Sequence, residues 1–309
     1  MNMDVGGNKD LKIVQFAESL KTQGKTPSTV ESYCRDASSF LDYLASQHLR
    51  STEADSNTLI AYQEYLRDVR HEKGNSIRRN VIGVRQFYRF LTDHKDISST
   101  PFDIVAIPER QEKLPKNLEK LDIEKIIAQC QQERPAIKGA RDAAMVAMLA
   151  YEGLKATELI ALQWKDLLAT TGNATLRVPG GRTRIITITP RTLELLQEYR
   201  SRYDELQHPL LEKSPQKRMF ISFRGRESAI PIPHMTRHGL KFIIYEAGDD
   251  LGIKHLNAEM LRHYAVAHLI ASGKPSDEVM THLGLRRPGV VARHAAVHAV
   301  KHPRVDTLG

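Results

Sequence analysis

The sequence predicts a mainly α-helical protein with one small antiparallel sheet, arranged as two domains. Three observations carry that expectation. Apolar residues recur at three- and four-residue spacing along most of the 309 residues, which marks amphipathic helices. Segments that read as strands are confined to short stretches, chiefly those flanking Pro179-Gly180-Gly181-Arg182. The helical pattern breaks between Lys95 and Leu121, where Pro101, Pro108 and Pro115 stand amid mixed charge. Prolines fix the backbone and interrupt helices.

A first short helix is expected over 10–20. Thr26 and Pro27 then supply a cap and a proline at the first helical position. Val30, Tyr33, Cys34, Ala37, Phe40, Leu41 and Leu44 follow along one face. A third helix starts near Asn57 with Leu59, Tyr62, Leu66 and Val69. A fourth starts near Ser76 with Ile77, Val81, Val84, Tyr88 and Leu91. These form a helical domain over 1–95, with its Tyr and Phe residues read as core. Residues 96–116 are the expected linker and 117–309 the second domain. Helices are expected there at 121–131, 141–151 and 157–164. Strands at 175–178 and 184–189 flank the hairpin turn. A helix over 191–203 and a strand near 219–223 follow, and helices at 235–247, 260–272 and 276–283 close the domain.

The formal charge is +8, from 45 Lys and Arg against 37 Asp and Glu. Residues 251–309 hold eight of the bases and four of the acids, which is half of the excess. A basic balance favours an anionic partner such as nucleic acid or an acidic membrane surface, and the C-terminal segment is where that contact is expected. No run approaches the roughly 18 apolar residues of a membrane span. Residues 1–12 hold no basic segment leading into an apolar core. A cytoplasmic protein is expected, associated with the nucleoid if bacterial. Cys34 and Cys130 read as small buried hydrophobes of a reduced chain. The absence of Cys-x-x-Cys pairs argues against a zinc finger. Walker and dinucleotide motifs are also lacking, so neither a cofactor nor a metal is expected.

More specific strings appear in the second half. Arg141-Asp142-Ala143-Ala144-Met145 leads into Tyr151-Glu152-Gly153-Leu154-Lys155-Ala156-Thr157-Glu158-Leu159. Leu162-Gln163-Trp164-Lys165-Asp166, the hairpin, Met260-Leu261-Arg262-His263-Tyr264-Ala265 and Leu283-Gly284-Leu285 follow. In this order and spacing the chain resembles the tyrosine recombinase family, also called the phage integrase family, which includes the Xer-type recombinases. The resemblance spans about residues 8–300. It implies a helical, SAM-like DNA-binding domain, a linker, and a catalytic-fold domain ending in a docking tail.

The resemblance also implies a chemistry. A tyrosine hydroxyl attacks a DNA phosphate and forms a 3′-phosphotyrosyl link. Two arginines hold the nonbridging oxygens as charge builds. A hairpin lysine is the general acid, and two His, Lys or Trp positions assist. No metal takes part.

Mapped by that resemblance, the six positions fall on Lys155, Arg182, Glu259, Arg262, Leu285 and His294. Only Arg262 is the usual residue. Lys155 replaces the first arginine and loses the two-pronged phosphate contact. The hairpin position is Arg182, or Arg184 if the turn is gapped, and arginine is a poor general acid. Glu259 replaces the histidine of His-x-x-Arg, and its carboxylate repels a phosphate unless it pairs with a nearby base. A pair with Arg262 or Lys155 would neutralise the pocket, and Arg262 is either a residual phosphate ligand or a structural arginine. Leu285 cannot bond to phosphate. His294 stands at the nucleophile position, and no tyrosine follows Tyr264 in the chain. Tyr264 is read as packing.

The expected function is therefore duplex DNA binding without independent strand cleavage. Lys155, Arg182, Arg184 and Arg262 are candidate phosphate contacts. Arg78, Arg79 and Arg85 in the first domain, and Arg237, His238 and Lys241 in the second, are further DNA-binding candidates. Two alternatives stand beside this one. The chain is an active integrase using His294 or a partner's nucleophile, or it is an interaction subunit that modulates an active recombinase without binding DNA. The tail offers His294, His298 and His302 at four-residue spacing with Ala292, Ala295, Ala296, Ala299 and Val300. It suits self-association, docking on a recombinase partner, or packing within the chain.

Overall fold

Thr26 accepts a hydrogen bond from Thr29 N–H and Pro27 opens the helix behind it, so α2 runs Pro27–Ser46. Asp55 and Thr58 form a reciprocal cap, so α3 runs Ser56–Asp68. In this computed structural model the described residues are 5–110, 118–133, 135–170, 173–181, 183–225, 227–285, 288–289 and 291–292. The chain divides into two compact units, Met1–Leu114 and Pro115–Gly309.

The first unit adds α1 (Val5–Thr22) and α4 (Gly74–Asp93) to α2 and α3. The apolar stripe of α4, Ile77, Val81, Val84, Tyr88 and Leu91, is buried. It meets Phe16, Phe40 and Tyr62 in an aromatic core. Helices α2 and α4 approach closely at Gly83. A Cβ there would lie 2.7 Å from the Asp36 Cβ, so only glycine fits without displacement. The expected linker begins as part of this core: Phe102 and Val105 are buried in it, and Ile97 and Ile107 pack against it. Residues 111–117 lie outside the described residues.

The second unit is built around α6 (Ala136–Ala150). Every residue from Ile137 to Ala150 is buried, so alanines let neighbouring helices close in on all sides. Three of those neighbours are α5 (Lys120–Gln131), α8 (Pro190–Glu205) and α11 (Ala258–Ala271). Helix α6 starts five residues before its expected position. Its second turn holds Arg141 and Asp142, which pair at 2.6 Å and are both buried. Helix α7 (Ala156–Ala161) is shorter than expected and passes into a 3-10 turn at Trp164–Asp166.

The expected single sheet is two. β1 (Leu167–Thr170), β2 (Asn173–Val178) and β3 (Arg184–Thr187) form one antiparallel sheet in chain order. β4 (Ser222–Phe223) pairs with β5 (Pro231–Ile232) as a separate ribbon. Only β2, β3 and β4 were expected, because β1 carries Leu-Leu-Ala-Thr without alternation. The ribbon strands are too short to leave a pattern. A short helix, α9 (Pro209–Glu212), also went unpredicted. Helices α10 (Arg237–Asp249) and α12 (Ser276–Leu283) complete the unit. Beyond α12, Val291 is buried among Ala265, Val266, Leu269, Val279 and Leu283. Val291, three residues before the nucleophile position, thus packs within the chain.

Candidate functional site

Gly153, in the loop between α6 and α7, adopts φ +64°. A Cβ there would collide with Leu283 and stand 3.0 Å from the Ala265 Cβ. Without a side chain, the loop lies against α11 and α12, and its carbonyl accepts a hydrogen bond from Arg262 Nη1. Arg262 Nη2 donates to Leu283 O at 2.7 Å. The guanidinium is therefore clamped between two backbone carbonyls and is only 5% exposed. Asn257 starts α11 by accepting hydrogen bonds from the Glu259 and Met260 N–H groups. That start sets Arg262 on the inward side of the helix with Leu261 and Ala265, both buried.

The carboxylate facing Arg262 belongs to Glu158. It caps its own helix, accepting from Lys155 N–H at 2.9 Å. Arg184, the first residue of β3, donates to it through Nη1 at 2.9 Å and Nη2 at 3.2 Å. Arg184 Nε donates to His282 O at 2.6 Å. Gly284 ends α12 at φ +61°, and a Cβ on it would reach within 2.8 Å of Arg184 Nη1. Lys155 Nζ lies 3.7 Å and Arg262 Nη1 3.9 Å from Glu158. Three cations thus converge on one buried carboxylate, and positive charge remains in excess. Burial raises the Glu158 pKa, but the hydrogen bonds from Arg184 and Lys155 outweigh it and hold the group below its ordinary value. Burial lowers the pKa of Arg262, opposed by the nearby Glu158 and Glu259 charges.

The pair considered for Glu259 with Arg262 or Lys155 does not form. Glu259 is largely exposed and lies 3.7 Å from His263. Glu158, not Glu259, pairs with Lys155 and Arg262. The physical reason is position: Glu259 is in the first turn of α11, facing outward, while Glu158 points into the unit. The sequence carried a signal for it, since Lys155-x-x-Glu158 has the spacing of a capping box. Arg184 lies in the site, buried at 9% exposure. Arg182 and His294 lie outside the described residues, as do His298 and His302.

Leu285 packs against the cluster of Val279 and Leu283. Tyr264 is 7% exposed and stacks on His268 with ring centroids 5.7 Å apart. Burial raises its pKa, with Glu124 adding to the shift, the opposite of what a tyrosinate nucleophile requires. Behind the site, Glu152 Oε1 accepts from Thr189 N–H and Oγ1, both at 2.9 Å. Its Oε2 lies 4.0 Å from His282 Nε2, and neither atom has a hydrogen-bond partner among the described residues. Burial, then the charges of Lys274 and Arg184, push the His282 pKa down to about 4.

The three candidate arginines of the first unit have internal partners. Arg78 donates to Pro108 O at 2.7 Å, and Arg85 to Asp103 O and Val105 O. Arg79 pairs at 2.9 Å with buried Asp36 while its own side chain stays half exposed. Two of the three therefore fasten the 102–108 segment to α4. Arg237, His238 and Lys241 are exposed on α10. Among the described residues none of the three joins an ion pair. No group of three or more His, Cys, Asp or Glu residues that could hold a metal occurs among the described residues.

Residues 116–299 match the phage integrase family, and residues 13–95 match its N-terminal SAM-like domain. The chain belongs to the phage integrase family. Among curated family members, a tyrosine recombinase XerD of Rickettsia bellii is 27% identical over 270 residues, covering 84% of this chain and 86% of the relative. A tyrosine recombinase XerC of Roseiflexus sp. is 25% identical over 262 residues, covering 83% and 79%. The XerH recombinase bound to a palindromic difH substrate shares the family fold at a TM-score of 0.70 and 15% identity, covering 96% of this chain and 87% of that one. The lambda integrase dimer bound to a core site does so at 0.63 and 12%, covering 93% and 94%.

Proposed function

We propose that this family member binds duplex DNA and does not cleave it by itself. The observation that carries the reading is the nucleophile. No tyrosine follows Tyr264 in the chain, and Tyr264 is packed in the core with a raised pKa. A tyrosyl-phosphate link therefore lacks its hydroxyl. Leu285 and Glu259 remove two further groups that would touch phosphate or move a proton.

The cationic character of the pocket supports retained DNA binding. Lys155, Arg184 and Arg262 outnumber Glu158, and Lys155 is half exposed. Phosphate contacts by such groups give salt-sensitive binding. On this reading the first unit is the core-binding part and the second unit the catalytic-fold part. No helix among the described residues is long and apolar enough to cross a membrane, and the proposed place of action is the cytoplasm, on DNA.

The experiment incubates the purified chain with nicked suicide duplexes and separates products on native and denaturing gels. The reading expects retention at low salt in the native gel and free DNA in the denaturing one. Denaturation-resistant adducts would establish an active integrase with another nucleophile. No retention at low salt would favour an interaction subunit.

A further inference from the structure

Glu152 is 1% exposed, and Thr189 holds its Oε1 through two hydrogen bonds. Its Oε2 therefore has a fixed aim, toward His282 Nε2 at 4.0 Å. Neither atom has a hydrogen-bond partner among the described residues. A buried polar group is normally paired, and one left unpaired points to a role beyond packing. Here two such atoms face each other. Their neighbours in the chain, Gly153 and Leu283, make an ordinary apolar contact, so the core itself does not call for an acid and an imidazole.

Their places in the chain say what they act on. Glu152 precedes Gly153, whose carbonyl accepts from Arg262 Nη1. His282 precedes Leu283, whose carbonyl accepts from Arg262 Nη2 at 2.7 Å. The His282 carbonyl itself accepts from Arg184 Nε at 2.6 Å. The 152–153 loop and the end of α12 are thus two jaws on Arg262, and the second jaw also holds Arg184. Glu152 and His282 reach toward each other from jaw to jaw. Their gap exceeds a hydrogen bond by about 1 Å. Closing it brings an imidazole N–H onto Oε2 and draws the jaws together.

The surrounding charges say when it closes. His282 is faced by Arg184 from β3, by Lys274 from the turn before α12, by Glu152 from the loop and by Glu278 on α12 itself. Burial, then Lys274 and Arg184, oppose positive charge on the ring. A phosphate bound at the pocket offsets the charge of Arg184 and lets the ring's N–H turn to the carboxylate. Phosphate favours the closed pair, and by linkage the closed pair favours phosphate.

We propose that Glu152 and His282 are positioning residues for the phosphate pocket, closing into a hydrogen-bonded pair when DNA phosphate is bound and so fixing Arg184 and Arg262 on it. This rests on the DNA-binding reading above and adds how its pocket is set. Neither side chain needs to touch DNA.

The test measures retention, at fixed low salt, of duplexes that each carry one neutral methylphosphonate in place of a phosphate. In the wild type, neutralising the phosphate held by the pocket should weaken binding about tenfold, the worth of one charge-assisted contact. His282→Leu should bind the unmodified duplex about tenfold more weakly and become indifferent to that position, while its penalties at other positions remain. Glu152→Gln keeps an oxygen for Thr189 and offers an amide N–H to the imidazole, so it should retain the wild-type pattern. An unchanged methylphosphonate pattern in His282→Leu reduces the pair to packing and overturns the proposal while DNA binding stands. If His282→Leu does not fold, the wild-type ring resonances of His282, assigned by their absence from His282→Gln, decide instead. They should shift with the saturating unmodified duplex and stay in place with the duplex neutralised at the pocket position. Equal behaviour with both duplexes overturns the proposal. Failure of the wild type to retain any duplex removes the DNA-binding reading as well.

Discussion

Glu158 sets the electrostatics of the pocket at the scale of single residues. It accepts a bidentate contact from Arg184, both side chains being nearly buried, and it stands within 4.0 Å of Lys155 and Arg262. Removing one partner of a buried pair leaves the other charge uncompensated, which costs about 3–5 kcal/mol. Glu158→Gln is therefore expected to lower the chemical-denaturation stability by about that amount, while Lys155→Gln, at a half-exposed position, should change it by less than about 1 kcal/mol. Equal effects from the two would contradict the geometry. His282 gives a pH-dependent signature. Its folded pKa of about 4 lies below the ordinary 6.5, so as pH falls the unfolded chain takes up the proton first. The stability from this group is complete above pH 6.5 and is lost as pH drops through 4. His282→Gln should flatten the stability curve across that window relative to wild type, as measured by denaturant melts at stepped pH.

At the scale of elements, the close approach of α2 and α4 depends on Gly83. Gly83→Ala places a methyl against Asp36 and is expected to destabilise the chain by about 1–3 kcal/mol, read as a lowered denaturation midpoint. A midpoint raised by helix propensity would show that the helices part without cost. Most helices were legible in the sequence because their buried stripes repeat every three or four residues, as in α4 with Ile77, Val81, Val84 and Tyr88. β1 was not legible, because its Leu-Leu-Ala-Thr run has no alternation and its strand character comes from pairing with β2. Within the site, Arg262 and Lys155 could be placed from their neighbouring motifs. The inward turn of Arg184 could not, because it depends on His282 and Gly284, about a hundred residues away. Arg78 and Arg85 show the converse. Their spacing on a helix suited a phosphate backbone, yet both guanidinium groups hold carbonyls of the 102–108 segment.

For the whole molecule, the +8 charge and the surviving cations of the pocket predict binding dominated by counterion release. Affinity for duplex should fall linearly with salt on logarithmic axes. Lys241→Ala should reduce that slope by about one unit if the side chain meets a phosphate. An unchanged slope would take Lys241 out of the interface. The most direct test of the central claim is intact-mass spectrometry of the wild-type chain after incubation with a bound, nicked suicide duplex. Binding without cleavage predicts the mass of the unmodified chain alone, with the duplex retained at low salt before denaturation. A mass increased by a covalently attached DNA strand, absent in His294→Ala, would contradict it.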